Sequence, residues 1–490
     1  MRMELARVQE KLDKAVSFYD VMTVLFQAVT VDCWAQNQKA YDKWLKARPL
    51  AQELAKIVQT MAVPPGSRFR AGLGKLMELL RENQEIGVPL MIAALHDFDR
   101  ELACLPQPRQ RTQRVERGPM NSPACQEAEA ACLYLAPPEL WQDRFLSAHR
   151  LRRRNLSAAA PSGLSNQLEH CRIIPQNQLG GLIPRICVHY PKAGFEEILK
   201  SGRLRIAVFP FAGREWFTRV PAETDRTINI HYNEAQNQKL FNAYRRALRA
   251  AERYEANLVI FPEMALGSTV RARLREMLGQ QPKEERLRHV QLIFAGTEWL
   301  DGENAAYIFT AEGRLLLTQK KREPYDFYND SLKAFQRENL RGDERELWFL
   351  DVPGLGRVSY VICRDFLDAR EQMDRGALLH SGLLMVSCYT PKLDEFQNGA
   401  ESLVKGQAAV VTLCNTCALM AASGGPVGFL SVPACEGNKH LECRETAYAA
   451  MDPACRDGNC AFCSCMDLYT LDISPEQGRK IGVRHQKVNI

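Results

Sequence analysis

Along residues 3–60 the apolar positions recur every three or four residues, with Leu5, Val8, Leu12, Val16 and Tyr19 separated by polar side chains. That period traces one stripe of an α-helix. Pro64-Pro65-Gly66 ends the segment, and a second helical stretch is predicted from Ala71 to Leu102 with a break at Gly87–Pro89. Residues 106–123 are polar, rich in arginine and broken by proline and glycine, so a loop or linker is expected there. A short helix is expected after Pro138, and residues 155–185 read as irregular. No internal repeat recurs at any period of about 20–50 residues.

From Arg203 the pattern changes. Leu204–Phe209, Leu258–Phe261 and Leu292–Thr297 are short continuous apolar runs of the buried-strand kind, and Lys239–Tyr254 carries Leu240, Tyr244, Ala247, Leu248 and Ala251 on one helical stripe. Ala306–Phe309 and Leu315–Thr318, joined by a turn at Ala311–Gly313, predict a hairpin; Arg357–Ile362, Leu383–Val386 and Leu468–Ile473 continue the series. Strands alternating with helices predict an α/β core with functional groups at strand ends.

The chain has 490 residues, more than the roughly 250–300 at which one core stops growing, so more than one domain is expected. The pattern places a helical N-terminal domain at 1–104, a basic, partly irregular linker with short helices at 105–200, the α/β domain at 201–475 and a tail at 476–490. With 46% hydrophobic and 25% charged residues the composition is that of a globular protein. No apolar run reaches the ~20 residues of a membrane span and the N-terminus lacks a secretory core, so no membrane partner and a cytoplasmic location are expected. The net charge of +6 arises wholly in residues 1–200, which hold 27 basic and 21 acidic residues; the remainder is balanced.

Three strand ends carry chemistry. Glu263 follows a buried strand in Phe261-Pro262-Glu263, Lys320-Lys321 ends the second hairpin arm, and Cys363 follows the apolar run in Val361-Ile362-Cys363-Arg364-Asp365. An acid, an amine and a thiol so placed suit nucleophilic acyl chemistry, because a thiol of pKa ~8.5 needs a base and a positive neighbour to react at neutral pH. Successive residues of a strand face opposite ways, so only one of the two lysines can enter a shared pocket; the distance from Gly313 and the Pro324 that follows favour Lys321. Taken alone, Cys363 reads equally as a buried packing thiol, Glu263 as a cap or surface acid, and Lys320 as a solvated charge.

In this order and on these elements, the three motifs resemble those of the nitrilase superfamily, the carbon–nitrogen hydrolases, over about residues 203–475. The resemblance implies a nitrilase-like α-β-β-α sandwich and a Glu263–Lys321–Cys363 triad. It further implies a supporting glutamate between the lysine and the cysteine, for which Glu338 in Phe335–Gly342 is the best match; the other reading of Glu338 is a solvated charge in a polar loop. Arg364 stands where many members carry an aromatic residue, no Phe-Pro follows Asp365, and Gly406–Ala409 replaces a downstream helical pattern, although Asn415 fits its later asparagine. These departures bear on the substrate more than on the triad. The implied activity is amidase-like hydrolysis of a small amide or nitrile through a cysteine thioester, with no cofactor required for catalysis. The rival expectation is a catalytically idle scaffold or ligand sensor.

Sixteen cysteines are many for a chain without a secretion signal, and eight of them crowd between Cys414 and Cys465. Within this Cys-rich insertion at 414–465, Cys443, Cys455, Cys460 and Cys463 are the best candidate ligands for a structural zinc; the alternative is a set of reduced thiols. Arg109, Arg111, Arg114, Arg117 and Arg152–Arg154 could contact phosphates, but no nucleic-acid fold motif accompanies them and a solvated linker is the simpler reading. The N-terminal helices could instead bind a protein or nucleic-acid partner, with a prokaryotic defence system as one context, and the resemblance allows a homo-oligomer. Metal analysis of the purified protein decides the zinc question: about one equivalent per chain assigns the site, and less than ~0.2 equivalents removes it.

Overall fold

The computed structural model describes residues 2–30, 48–61, 67–104, 115–117, 131–135, 168, 171–175, 182–189, 201–211, 215–222, 226–329, 333–342, 345–352, 355–367, 381–407, 409–420, 424–434, 443–449, 465–472 and 482–489. These residues fall into two compact units, one lying within residues 1–185 and the other built almost wholly from Ile186 onward.

The first unit is helical, with α1 (Arg2–Asp13), α2 (Phe18–Thr30), α3 (Arg48–Met61), α4 (Ser67–Glu82) and α5 (Gly87–Cys104) around a core that includes Leu12, Leu25, Leu54, Leu76 and Phe98. The stripe predicted through Val16 is interrupted there. Asp20 accepts hydrogen bonds from the Val16 and Ser17 amides at 3.0 and 2.9 Å, while the Ser17 hydroxyl accepts from the Asp20 amide. This reciprocal cap starts a new helix and leaves Val16 49% exposed. The expected break at Gly87–Pro89 falls earlier, in the 3₁₀ turn Gln84–Ile86, because proline is tolerated in a first helical turn, where its missing N–H has no partner to lose. Within 105–200, read as linker and irregular chain, β1 (Ala131–Leu135) and β2 (Cys171–Pro175) form an antiparallel pair, and Val115–Arg117 and Ile183–Val188 are strands. The helix expected after Pro138 lies outside the described residues.

The second unit is an α/β sandwich. Its strands are β3 (Arg203–Val208), β4 (Phe217–Pro221), β5 (Thr227–Tyr232), β6 (Leu258–Ile260), β7 (Leu292–Leu300), β8 (Glu303–Thr310), β9 (Leu315–Lys320), β10 (Asp326–Asn329), β11 (Ala334–Glu338), β12 (Glu346–Val352), β13 (Gly356–Ile362), β14 (Leu383–Ser387), β15 (Val410–Cys414), β16 (Gly428–Ala434), β17 (Cys443–Ala449), β18 (Cys465–Asp472) and β19 (Gly482–Asn489). One sheet has the order β9-β8-β7-β6-β3-β18-β19 and the facing sheet includes β12-β13-β14-β15-β16-β17. The segments that carry Glu263 and Cys363 each leave a strand paired in parallel with its neighbour, β6 beside β3 and β7, and β13 beside β14. Parallel strands at the middle of a sheet are buried on both faces, which is why they read as unbroken apolar runs. Helices α6 (Asn237–Arg253) and α7 (Ser268–Gly279) belong with the first sheet, α6 through the Tyr244 hydroxyl, which donates to the Ala295 carbonyl at 2.7 Å. Helix α8 (Asp394–Gln407) packs on β15 and β16. A separate small sheet, β10-β11-β5-β4, stands beside these layers. Within the span read as a Cys-rich insertion, β16 and β17 are paired strands of the facing sheet, and the expected tail contributes β19, an edge strand paired with β18 along its whole length. Among the described residues no helix is long and apolar enough to cross a membrane.

The two main sheets are tied beneath the strand ends by a chain of hydrogen bonds. The Gly296 amide donates to the Tyr360 hydroxyl (3.0 Å), which meets the Ser387 hydroxyl (2.8 Å), which donates to the Phe261 carbonyl (2.6 Å). Since Ser387 gives its proton to Phe261, Tyr360 donates to Ser387, and every polar atom in this buried relay is satisfied. Gly296 has φ of +79°, and a Cβ placed on it would lie 2.4 Å from the Pro262 carbonyl oxygen. Gly296→Ala is therefore expected to cost at least about 2 kcal/mol of stability, read as a lowered urea midpoint, because it combines left-handed strain with a backbone clash at the segment that presents Glu263.

Candidate active site

Glu263 lies two residues beyond Phe261 at the end of β6, 1% exposed. The chain turns sharply there: Met264 has φ of +60° and its amide donates to the Thr297 hydroxyl at 2.9 Å, while the Glu263 amide donates to the Cys388 carbonyl at 3.3 Å. Lys321 is the residue after β9, 3% exposed, and its amide donates to the Asn304 carbonyl at 2.7 Å. Lys321 Nζ donates to Glu263 Oε1 at 2.9 Å and to Glu338 Oε2 at 2.7 Å. Asn304 Nδ2 donates to the same Glu263 Oε1 at 2.9 Å, so one asparagine fixes both the lysine backbone and the glutamate side chain. Glu338 ends β11, buried rather than solvated, and also accepts from the Tyr325 amide at 2.9 Å.

Lys320 faces the other way. It is about one-third exposed and pairs with Glu303 at 2.9 Å, outside this network. Alternation along the strand accounts for the separation of the two lysines.

Cys363 occupies the turn between β13 and the short helix Arg364–Leu367, 2% exposed, with φ of +40°. A non-glycine residue rarely adopts this backbone, and it persists only where surrounding bonds enforce it. Here the Cys363 amide donates to the Ser387 carbonyl (2.9 Å) and its carbonyl accepts from the Phe366 amide (2.8 Å). Asp365 then links the cysteine turn to the lysine segment: its carboxylate accepts from the Arg322 amide at 3.1 Å and from the Glu323 amide at 2.8 Å.

Glu263, Lys321, Glu338 and Cys363 line one pocket, together with Phe217, Arg219, Ile228, Ile230, Met264, Tyr325, Phe327 and Tyr389. The pocket is narrow.

Electrostatics follow from burial. Burial alone would lower the Lys321 ammonium, but the carboxylates of Glu263 and Glu338, with Cys363 beside them, outweigh it and hold lysine well above its ordinary value. Burial raises Glu338, opposed by Lys321 and reinforced by Glu263. Burial also raises the Cys388 thiol well above its ordinary value, helped by its hydrogen-bonded neighbour Cys363. Lys321 has three N–H donors and Glu263 two oxygens. Among the described residues, one Lys321 donor and Glu263 Oε2 have no hydrogen-bond partner in the protein.

Sequence reading did not single out Asn304, Cys388 or Tyr325. Asn304 lies in an ordinary hairpin strand and Cys388 in an apolar run, and neither position carries a local signal. The proposed zinc ligands Cys455, Cys460 and Cys463 lie outside the described residues, as does the side chain of Cys443, whose backbone opens β17. Arg109, Arg111, Arg114 and Arg152–Arg154 also lie outside them, and Arg117 is described only as backbone in its short strand.

No protein-family profile matches the chain, and no curated protein matches it. Solved structures similar to it include members of the nitrilase superfamily. One is an amidase from Nesterenkonia AN1, 15% identical over 52% of this chain and 92% of the amidase, with a TM-score of 0.34. Another is Saccharomyces cerevisiae Nit3, 17% identical over 53% of this chain and 93% of Nit3, with a TM-score of 0.32. The Caenorhabditis elegans NitFhit protein is 15% identical over 44% of this chain and 52% of its own length, with a TM-score of 0.31. At this level the likeness concerns the fold.

Asp365 gives the site a pH signature. Burial first of all, opposed by Arg322 and the Glu323 amide, pushes its carboxyl up from 3.8 to about 6. A raised acid favours the folded chain while both states hold the proton, so its contribution is complete below pH 3.8 and is lost as pH rises through about 6. The stability difference between wild type and Asp365→Asn, followed by urea unfolding, is expected to shift against wild type by on the order of 3 kcal/mol across that window, then level off.

Proposed function

We propose that the second unit is a thiol-dependent carbon–nitrogen hydrolase that cleaves a small amide through a Cys363 thioester. The observation that carries this reading is the buried Glu263–Lys321–Glu338 network lining the same pocket as Cys363. Unlike charges sequestered so completely are costly to maintain, and a cleft that holds them beside a nucleophile is a candidate for catalysis.

The chemistry proceeds in two halves. Glu263 accepts the Cys363 thiol proton through its unengaged oxygen, and the thiolate attacks the amide carbonyl carbon. The remaining Lys321 donor stabilises the oxyanion as it forms, usually the largest contribution in such sites. Glu263 returns the proton to the departing nitrogen, the C–N bond breaks and ammonia or an amine leaves a thioester. A water deprotonated by Glu263 then attacks the thioester, the C–S bond breaks, and the carboxylic acid and the thiol are released. Glu338 holds Lys321 in place and shares its charge. The reaction requires no metal or cofactor beyond these residues.

The narrowness of the cavity favours a second reading, in which the unit binds a small ligand without turnover. The two part on one experiment. Ammonia release from short aliphatic amides is expected to fall to background in Cys363→Ala and by roughly 10³-fold in Glu263→Gln, with intact mass spectrometry showing an acyl adduct on wild-type Cys363. Undiminished hydrolysis in Cys363→Ala contradicts the proposal, and saturable amide binding with no turnover selects the sensor.

A further inference from the structure

The reading above leaves one charged side chain of the pocket without a task. Arg219 lies on β4, exposed, and lines the pocket that holds Cys363. Its guanidinium carbon stands 4.3 Å from the centre of the Phe327 ring and 5.9 Å from that of Tyr389. Phe217, two residues earlier on the same strand face, packs edge-on against Tyr389 with ring centres 5.1 Å apart. The guanidinium is thus held in an aromatic frame, and among the described residues it has no carboxylate partner.

Strand register fixes where it stands relative to the triad. Arg219 pairs with Ile230, Pro221 pairs with Ile228, and Ile228 in turn pairs with Glu338. Arg219 and Glu338 therefore share one face of the small sheet, two strands and two residues apart, or roughly 12 Å between their Cα atoms. Glu338 and Glu263 make the triad end of the pocket acidic apart from Lys321, whereas at the other end Arg219 is the one cation among the described lining residues, set beside rings and isoleucines.

We propose that Arg219 is a specificity residue that receives a carboxylate of the substrate, so that the preferred amides carry an anionic group a short aliphatic spacer away from the scissile carbonyl. Substrate polarity then follows from the field. The buried acids repel the substrate carboxylate from the triad, Arg219 captures it in a bidentate pair, and the neutral amide is left facing Cys363. The flanking rings preorganise the guanidinium, so little side-chain freedom is lost on binding. This inference rests on the pocket assigned above but not on turnover.

The test uses the full chain and two matched series, in which a terminal carboxylate or a methyl group is separated from the reactive carbon by about two to four methylenes. One series consists of primary amides assayed for ammonia release; the other consists of chloroacetamides, with Cys363 alkylation followed by mass spectrometry. In wild type the carboxylate member is expected to react at least about tenfold faster at its best spacer, with the ratio falling towards one in Arg219→Gln and partly restored in Arg219→Lys. Equal rates in wild type, or a carboxylate preference that survives in Arg219→Gln, overturn the proposal. A carboxylate preference in alkylation without ammonia release from any amide upholds Arg219 while removing the hydrolase reading. Hydrolysis indifferent to the carboxylate does the reverse. A Cys363 inert to both series counts against both.

Discussion

A single ammonium, 3% exposed, holds two buried carboxylates within hydrogen-bond distance, and the geometry of the second unit is organised around keeping it there. Lys321 must leave the first sheet at the end of β9, Glu263 must leave the same sheet at the end of β6, and Glu338 must arrive from the small separate sheet. Two carboxylates in a low-dielectric site repel each other, and only a cation between them makes their joint burial tolerable. In the proposed reaction the same three charges would serve as base, oxyanion donor and orienting group, so what stabilises the pocket would also equip it.

The supporting bonds explain how groups far apart in the chain stay in register. Asn304 joins the lysine backbone to the Glu263 carboxylate, and Asp365 joins the turn after Cys363 to the amides that follow Lys321. Below them the relay from Gly296 through Tyr360 and Ser387 to Phe261 sets the spacing of the two sheets. On the far side, Asn415 clamps Thr390 with a pair of hydrogen bonds and thereby positions Tyr389 at the ring frame of Arg219. The side chains of Asn304, Asp365, Tyr360, Ser387 and Asn415 are polar, buried and fully or largely partnered, the condition under which a polar network rigidifies a core rather than loosening it.

The sequence showed the parts that rest on local periodicity and on strand ends. The runs at Leu204–Phe209, Leu258–Phe261 and Arg357–Ile362 correspond to buried strands, since a strand covered on both faces needs apolar residues throughout. Alternation alone separated Lys320 from Lys321. What could not be read were features decided by tertiary contact. Val16 fits a helical stripe by spacing, yet the Ser17–Asp20 cap ends that stripe. Tail residues 482–489 have too little apolar character to announce a strand, and pair because β18 offers them an edge. Glu338 is an ordinary charge in a polar stretch until the fold places it against Lys321, and Arg219 is one arginine among many until the rings of Phe327 and Tyr389 flank it.

A double-mutant cycle on Lys321 and Glu338 tests the central constraint most directly. Lys321→Met leaves two acids buried without a counter-ion and is expected to lower stability by about 3–5 kcal/mol. With Glu338→Gln added, part of that loss should return, giving a coupling of at least about 1 kcal/mol between the two positions by urea unfolding. Strictly additive losses, or a Lys321→Met protein as stable as wild type, would show that the buried charges do not depend on one another.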